Sequence, residues 1–340
     1  MSTAREILEL LKSRGGSEIS SSAICKRLRI SRSAVWKHIQ NLRRLGYQIE
    51  AQPSCGYRLV ASADRPDAVE VVPLLRTKVL GRVLHYQEVT ASTNRDAVAA
   101  AEAGGADGSV FCAGGQSEGR GRMSRKWFSP PGVNLYFSML LRPAVATDLA
   151  MSLPLVVGLA VAEAIKQLAP ELEPHVKWPN DILINGRKVC GILCEMQTQI
   201  DCGVRYIIAG AGVNVNLERE ALPAELFSTA TSLKAETGRA LSRVELLAGV
   251  LNKFECHYIV WQREGFKPLT SIMKCYDALA GEEVTVQQGK QIISGQACGV
   301  QEDGALKVET SKGVIAIYSG EATVRRLRGS VRAGRGMEKC

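Results

Sequence analysis

The stretch Lys177-Trp-Pro-Asn-Asp-Ile-Leu-Ile-Asn-Gly-Arg-Lys-Val-Cys-Gly-Ile-Leu193 sets the fold at the centre of this chain. Asn185-Gly186 lies between two apolar runs, and that dipeptide accepts the two positive φ angles of a type I′ hairpin turn. The turn places Ile184 opposite Arg187, Leu183 opposite Lys188 and Asp181 opposite Cys190. Side chains alternate faces along a strand, so Asp181 and Lys188 share a face as diagonal neighbours, roughly 7–8 Å apart. That separation leaves room between carboxylate and ammonium for a metal and an anionic ligand. Pro179 cannot donate to a ladder, so Lys177-Trp178 ends one strand and Asn180 turns into the next. Alone, the pattern fits an edge hairpin with a solvated charge on each side. The flanking sequence overturns that preference.

Working outward, Val83–Val89 reads as a strand, and Ser92 is placed to cap a helix through about Ala103, stopped by Gly104-Gly105. Thr93 and Asn94 fall in its first turn, where free N–H groups and short polar side chains can grip a neutral polar ligand. After a strand at Ser109–Ala113 comes the unusually long loop Gly114–Gly132, and long ordered loops are usually functional. Gly119 and Gly121 loosen it, while Arg120, Arg122, Arg125 and Lys126 charge it. A lid over an anionic ligand, an RNA-binding loop and an exposed connector all fit that composition. Val133–Arg142 alternates as a strand and Leu149–Leu168 is a long apolar helix. In the strand Arg205–Asn216, Gly210, Gly212, Asn214 and Asn216 share a face, and the two glycines clear a floor where a flat ligand could lie on backbone. Gly191 marks a bulge or a close approach. A dinucleotide-binding reading of Gly-Ala-Gly is weak, because no third glycine follows.

At the N-terminus, helices are expected at Ala4–Arg14 and Ser21–Leu28, with a third from the cap Ser31 to about Leu45, closed by Gly46. Val35, Ile39, Leu42 and Leu45 form the third helix's core stripe, leaving Arg32, Ser33, Trp36, Lys37, Gln40 and Arg44 outward. With the alternating segments around Tyr47–Glu50 and Gly56–Val60 as a wing, this is a winged helix-turn-helix. Ser31, Arg32, Ser33, Trp36 and Lys37 are its candidate DNA-contacting residues. Residues 1–60 hold 11 Lys/Arg against 4 Asp/Glu, and residues 325–340 hold 6 against 1. The basic excess therefore sits at the two ends, where a polyanion is the expected partner.

The 340 residues suit two or three domains. No apolar run is expected to approach the roughly 20 residues of a membrane span, and the first helix does not read as a signal peptide. The ten cysteines form no repeated C-x-x-C pattern, so Cys190 and Cys194 read as thiols of a reducing cytosol rather than zinc ligands. Beyond the central segment, Arg243–Gly265 is a core helix. Five short strands between residues 281 and 328 make a small barrel, and Gly329–Cys340 is a basic tail expected to be disordered.

Ser92-Thr-Asn94, Gln116, Gly119-Arg-Gly-Arg122, Lys126-Trp127, Lys177-Trp-Pro-Asn-Asp181, Arg187-Lys188, Gly191-Ile-Leu193 and Gly210-Ala-Gly-Val-Asn214 follow one another in order. As an ordered set over nearly the whole chain they closely resemble biotin protein ligase of the bifunctional kind, which is also the biotin operon repressor. The resemblance implies an α+β chain in three parts. These are a winged helix-turn-helix (1–62), a mixed α/β catalytic domain of the biotin/lipoate ligase type (63–278) and an SH3-like barrel (279–328), followed by the tail (329–340). It implies formation of biotinyl-adenylate from biotin and Mg-ATP, then transfer to one lysine of a carboxylase's biotin carboxyl carrier domain. It further implies operator binding with the adenylate as corepressor, a homodimer in that state, a cytoplasmic location and no membrane partner.

Position by position, the resemblance puts Ser92, Thr93, Asn94 and Gln116 around the biotin head and folds Arg120-Gly121-Arg122 over biotin and phosphate. Lys188 holds the biotin carboxylate and the α-phosphate. Trp127, Asn180 and Asn214 face the nucleotide, and Asp181 faces magnesium. Lys188, Arg122, Lys177 and Asp181 form the catalytic set, in which cations offset the repulsion between carboxylate and triphosphate. Asp181 either accepts the proton of the acceptor lysine or orients it. One departure stands out: the family pattern repeats Gly-Arg where this chain has Met123-Ser124-Arg125, and Ser124 takes positive φ less readily than glycine. A lid that closes differently is the expected consequence. Two alternatives stay open, a biotin-sensing repressor with weak ligase activity and a lipoate-type ligase.

Overall fold

A computed structural model describes residues 3–52, 56–199 and 203–324. The chain divides into two compact units, Met1–Pro73 and Leu74–Cys340. The basic tail at 329–340 lies outside the described residues.

In the first unit α1 (Thr3–Ser13), α2 (Ser21–Leu28) and α3 (Arg32–Arg44) precede a hairpin of β1 (Gln48–Gln52) and β2 (Gly56–Ala61). Hydroxyl caps start both inner helices: Ser20 Oγ accepts from Ala23 N at 3.1 Å and Ser31 Oγ from Ala34 N at 3.2 Å. Ile7, Leu11, Ile24, Val35, Ile39 and Leu42 fill the core between them. Arg32, Ser33, Trp36, Lys37 and Arg44 face solvent as expected, whereas Gln40 and Leu45 are half-buried. The unit continues past residue 62: Ala63 is buried, and α4 (Ala68–Val71) is fastened to α1 by Lys12 Nζ–Glu70 Oε2 at 2.6 Å. The end expected for the winged helix-turn-helix at residue 62 therefore lies inside this unit.

The second unit is built on β3 (Leu84–Thr90), α5 (Thr93–Glu102), β4 (Val110–Gln116), β5 (Leu135–Leu141), α6 (Thr147–Ala150) and α7 (Leu153–Leu168). These are followed by β6 (His175–Lys177), β7 (Asp181–Ile184), β8 (Arg187–Gln199), β9 (Gly203–Val213), α8 (Leu233–Thr237), α9 (Arg243–Glu264) and α10 (Thr270–Tyr276). Its seven strands run β3-β4-β5-β9-β8-β7-β6, with only β3 and β4 parallel.

Side-chain alternation splits the sheet's work. Val176, Ile182 and Ile192 pack on α7 around Gly158, and α9 lies against α7. On the other face Ile208 meets Ala97 and Ala101 of α5, and the glycines of β8 and β9 lie beside them under Trp127 and Asn94. Contrary to expectation, one segment, Thr147–Leu168 of 22 residues, is long and apolar enough by length and composition to cross a membrane. It is mostly buried, as suits a core helix between sheet and α9. Trp261 closes this layer, fully buried with Nε1 donating to Ser152 Oγ at 2.8 Å. A side chain of that size stabilises by about 2–3 kcal/mol through burial alone.

The C-terminal strands β10 (Glu283–Gln288), β11 (Gln291–Val300), β12 (Leu306–Thr310), β13 (Gly313–Ile317) and β14 (Glu321–Val324) form an antiparallel sheet ordered β13-β12-β11-β10-β14. It meets the central sheet where the buried Trp178 donates Nε1–H to the Gly304 carbonyl at 3.1 Å.

Candidate active site

The hairpin at Asn185-Gly186 has the expected turn, with φ of 50° and 74° at its two residues. Its register holds for Ile184↔Arg187 and Leu183↔Lys188, then shifts, so that Asp181 pairs with Gly191 instead of Cys190. The irregularity leaves Asp181 and Lys188 on one face but turns them together. Lys188 Nζ lies 2.6 Å from Asp181 Oδ1, where open space between them was expected. The loop after β9 reinforces this geometry, because Lys188 N donates to the Thr229 carbonyl at 2.7 Å and Thr231 N to the Lys188 carbonyl at 2.9 Å. Cys190, two residues on along β8, is fully buried, and burial pushes its thiol well above the ordinary range.

Asn180 is locked onto β8: its carbonyl accepts from Ile192 N at 2.9 Å and its Nδ2 donates to the Ile192 carbonyl at 2.7 Å. Its Oδ1 is thereby aimed outward, where Arg122 Nη1 donates to it at 3.0 Å. The arginine belongs to a loop that is ordered, not slack. Trp127 N bonds the Gly119 carbonyl at 2.9 Å, Gly121 N bonds the Arg125 carbonyl at 2.7 Å, and Arg120 pairs with Lys126. The loop is thus a small hairpin whose tip carries Met123 and Ser124 at φ 54° and 57°. The position flagged for lacking glycine does adopt the left-handed conformation, together with its neighbour. The hairpin also touches the C-terminal barrel. Arg122 Nη2 donates to the Gly320 carbonyl at 3.2 Å, and Arg125 meets both oxygens of Glu321 at 2.7 and 2.8 Å.

The glycine floor exists, but protein covers it. A Cβ on Gly212 would come within 2.4 Å of Trp127 Nε1, one on Gly191 within 2.9 Å of Trp127 Cζ3, and one on Gly210 within 2.0 Å of Asn94 Oδ1. The flat group on the floor is the Trp127 indole, with Lys188 Nζ 5.2 Å from its ring centre. Beside it lies a second, neutral cluster. Ser92 occupies the cap position of α5 without a side-chain cap bond, contrary to its expected structural role. Gln116 Oε1 takes the Thr93 N–H at 2.9 Å instead, and Gln116 Nε2 donates to Ser129 Oγ at 3.2 Å. Asn94 Nδ2 donates to Glu195 Oε2 at 2.6 Å, and Ser138 Oγ lies 2.6 Å from Asn94 Oδ1.

The two clusters open into one cavity of about 400 Å³. Ser92, Thr93, Asn94 and Gln116 line it with Arg120, Gly121 and Arg122, and Trp127, Lys177, Asn180, Asp181 and Lys188 complete the expected set. Asn214 reaches the wall too, but its amide is engaged: Nδ2 donates to the Thr231 carbonyl at 2.9 Å and Oδ1 accepts from Asn134 Nδ2 at 3.3 Å. Sequence reasoning missed Leu222, Leu226, Thr229 and Ala230 from the loop after β9, and Glu321, Ala322 and Thr323 from β14. Neither segment carries a motif or charge pattern that would single it out. The candidate DNA-contacting residues form a separate exposed face on α3, with Trp36 58% exposed among them.

Residues 86–214 match the model of the biotin/lipoate A/B protein ligase family. Residues 3–58 match an HTH domain and residues 280–325 the biotin protein ligase C terminal domain. The bifunctional ligase/repressor BirA of Bacillus subtilis is 36% identical over 317 residues, 93% of this chain and 97% of the relative. That of Escherichia coli is 31% identical over 314 residues, 90% of this chain and 92% of the relative. A solved biotin protein ligase from Aquifex aeolicus, in complex with biotin and ATP, superposes with a TM-score of 0.63 at 32% identity, covering 72% of this chain and all of its own. Winged domain, catalytic sheet and C-terminal barrel together place the chain in the biotin/lipoate A/B protein ligase family, among the bifunctional ligase/repressors.

Proposed function

We propose that the chain joins biotin to AMP at this cavity, passes the biotinyl group to a lysine of a biotin carboxyl carrier domain, and represses biotin genes through its winged domain. The observation that carries the first part is the division of one cavity into a neutral hydrogen-bonding cluster and a cationic one. Ser92, Thr93, Asn94 and Gln116 suit a polar uncharged head, whereas Arg120, Arg122, Lys126, Lys177 and Lys188 suit a carboxylate meeting a triphosphate. Lys188 and Arg122 stabilise the charge that builds as carboxylate oxygen attacks the α-phosphorus and pyrophosphate leaves. Arg122, tied to Asn180, and the 119–127 hairpin shield the resulting mixed anhydride from water. Trp127 and the apolar Leu222 and Leu226 offer surfaces for a purine.

Magnesium fits as an ion carried in on the triphosphate. Asp181 is the carboxylate beside Lys188, and no group of three His, Cys, Asp or Glu side chains stands together among the described residues. One carboxylate completed by phosphate and water is how proteins commonly hold this ion. When bound, magnesium neutralises triphosphate charge. Because Asp181 is already paired with Lys188, Asp181→Asn should depress adenylation itself, as measured by pyrophosphate exchange. Loss of transfer alone would assign Asp181 to the acceptor lysine's proton instead.

Purified protein with biotin, Mg-ATP and a carrier domain should add the mass of one biotinyl group to one carrier lysine. An unmodified carrier would remove the ligase reading. A homodimer on DNA in the adenylate-bound state completes the proposal, and sedimentation with and without biotin and ATP tests it: a monomer under both conditions contradicts it.

A further inference from the structure

The hairpin that carries Lys188 is clasped from outside the cavity by one buried carboxylate, and we infer that Glu236 is a positioning residue for the nucleotide side of the site. This rests on the ligase reading above. The clasp starts from a gap in the sheet. β9 pairs with β8 only as far as Val213 opposite Cys190, so the backbone of Lys188 lies past the end of that ladder. Its polar groups still need partners, and the segment Thr229–Thr231 supplies them. The Thr229 carbonyl accepts the Lys188 N–H at 2.7 Å, and Thr231 N donates to the Lys188 carbonyl at 2.9 Å. The same segment is cavity wall. Thr229 and Ala230 line it, and both donate their N–H to the carbonyl of Leu226, a third lining residue, at 3.1 and 2.8 Å.

Glu236 holds that wall in line with the hairpin. Its helix α8 is fixed to the residues that follow β9, with Leu233 N donating to the Asn214 carbonyl at 3.0 Å and Lys234 N to the Val215 carbonyl at 2.8 Å. From there the side chain, only 4% exposed, reaches back to the turn. Its Oε1 accepts from Arg187 Nη2 at 2.6 Å and from the Thr231 hydroxyl, and its Oε2 accepts from Asn185 Nδ2 at 2.8 Å. The turn, the residue before Lys188 and the residue after Ala230 therefore share one acceptor. An ionised carboxylate can accept from all three, whereas an amide in its place turns a donor toward one of them. Glu236 is not among the residues that line the cavity. The neutral cluster hangs on α5 and β4 instead, so the clasp acts on ATP and leaves biotin alone.

The test uses the full chain, with KM for ATP read from biotin-dependent pyrophosphate exchange and biotin affinity from titration calorimetry. Glu236→Gln should raise KM for ATP on the order of tenfold. Thr231→Val removes one of the three donors and should raise it about threefold or more, while biotin affinity stays within about twofold in both variants. Thr231→Ser keeps the hydroxyl and should hold KM within about twofold of wild type. A role in folding alone would lower the active fraction, and with it kcat, while KM and biotin affinity stayed where they were. A KM for ATP raised less than about threefold in either the glutamine or the valine variant, or biotin affinity falling in step with it, overturns the clasp and leaves the ligase reading standing. A wild type without biotin-dependent exchange removes that reading and the clasp with it.

Discussion

At the scale of single residues, the cavity works through contacts that make each side chain hold another in place. Lys188 is held at 2.6 Å by Asp181 and stands over Trp127, so its ammonium is fixed before any anion arrives. Lys188→Ala should cut biotin-dependent adenylation by roughly 100- to 1000-fold, the usual loss when a preorganised charge is removed. A rate within threefold of wild type would dismiss Lys188 from the chemistry. Gly212→Ala probes the floor: a methyl within 2.4 Å of the indole nitrogen must lift Trp127. KM for ATP should then rise about tenfold with biotin affinity little changed, and equal losses for both substrates would place Trp127 elsewhere.

Away from the cavity, burial would raise the Glu255 carboxyl, but the backbone N–H groups of Leu80, Val79 and Lys78, at 2.9, 2.8 and 2.6 Å, outweigh it and hold it below the ordinary range. A depressed folded pKa contributes stability above the unfolded value and loses it as pH falls through the folded one. Glu255→Gln should therefore cost about 1–3 kcal/mol at pH 7, a gap that narrows in acid; a constant difference from pH 7 to 3 would refute the charge-based account. Thr93 and Asn94 were legible in the sequence because they sit at a helix start, and Gln116 only through the family resemblance. Ser138 was not: a serine inside an apolar strand announces nothing until its neighbours are placed.

Among the elements, the central hairpin shows how far periodicity reaches. Asn185-Gly186 fixed the turn and the first two pairs, but no residue type between Asp181 and Gly191 marked the register shift that brings Asp181 onto Lys188. Likewise the composition of the arginine-rich loop fitted a lid, an RNA-binding loop or a connector alike, and its ties to Gly320 and Glu321 depend on a segment nearly 200 residues away. Met123 and Ser124 in the left-handed region each cost roughly 1 kcal/mol relative to glycine. Ser124→Gly should favour the ordered hairpin and slow escape of the adenylate by about fivefold, read from release of labelled adenylate. Faster release would mean that loop entropy dominates strain.

For the whole molecule, two compact units separate two chemistries: a basic winged unit through Pro73 and the ligase fold after it. The charge distribution made this division visible, and hydrophobic spacing located most of the strands of the small barrel. The unit's true end was hidden, because Lys12–Glu70 joins the first helix to a segment expected to belong to the next domain. If α3 meets DNA through Arg32 and Lys37, affinity should fall steeply with salt, and Arg32→Ala should lessen the slope by about one counterion; an unchanged slope would move the interface off this helix.

The claim on which the rest depends is that one cavity activates biotin with ATP, and exchange of labelled pyrophosphate into ATP tests it directly. Purified protein with magnesium should exchange label when biotin is present, not when lipoate replaces it, and Lys188→Ala should cut the signal roughly 100- to 1000-fold. Exchange that is absent with biotin, or equal with lipoate, would contradict the account.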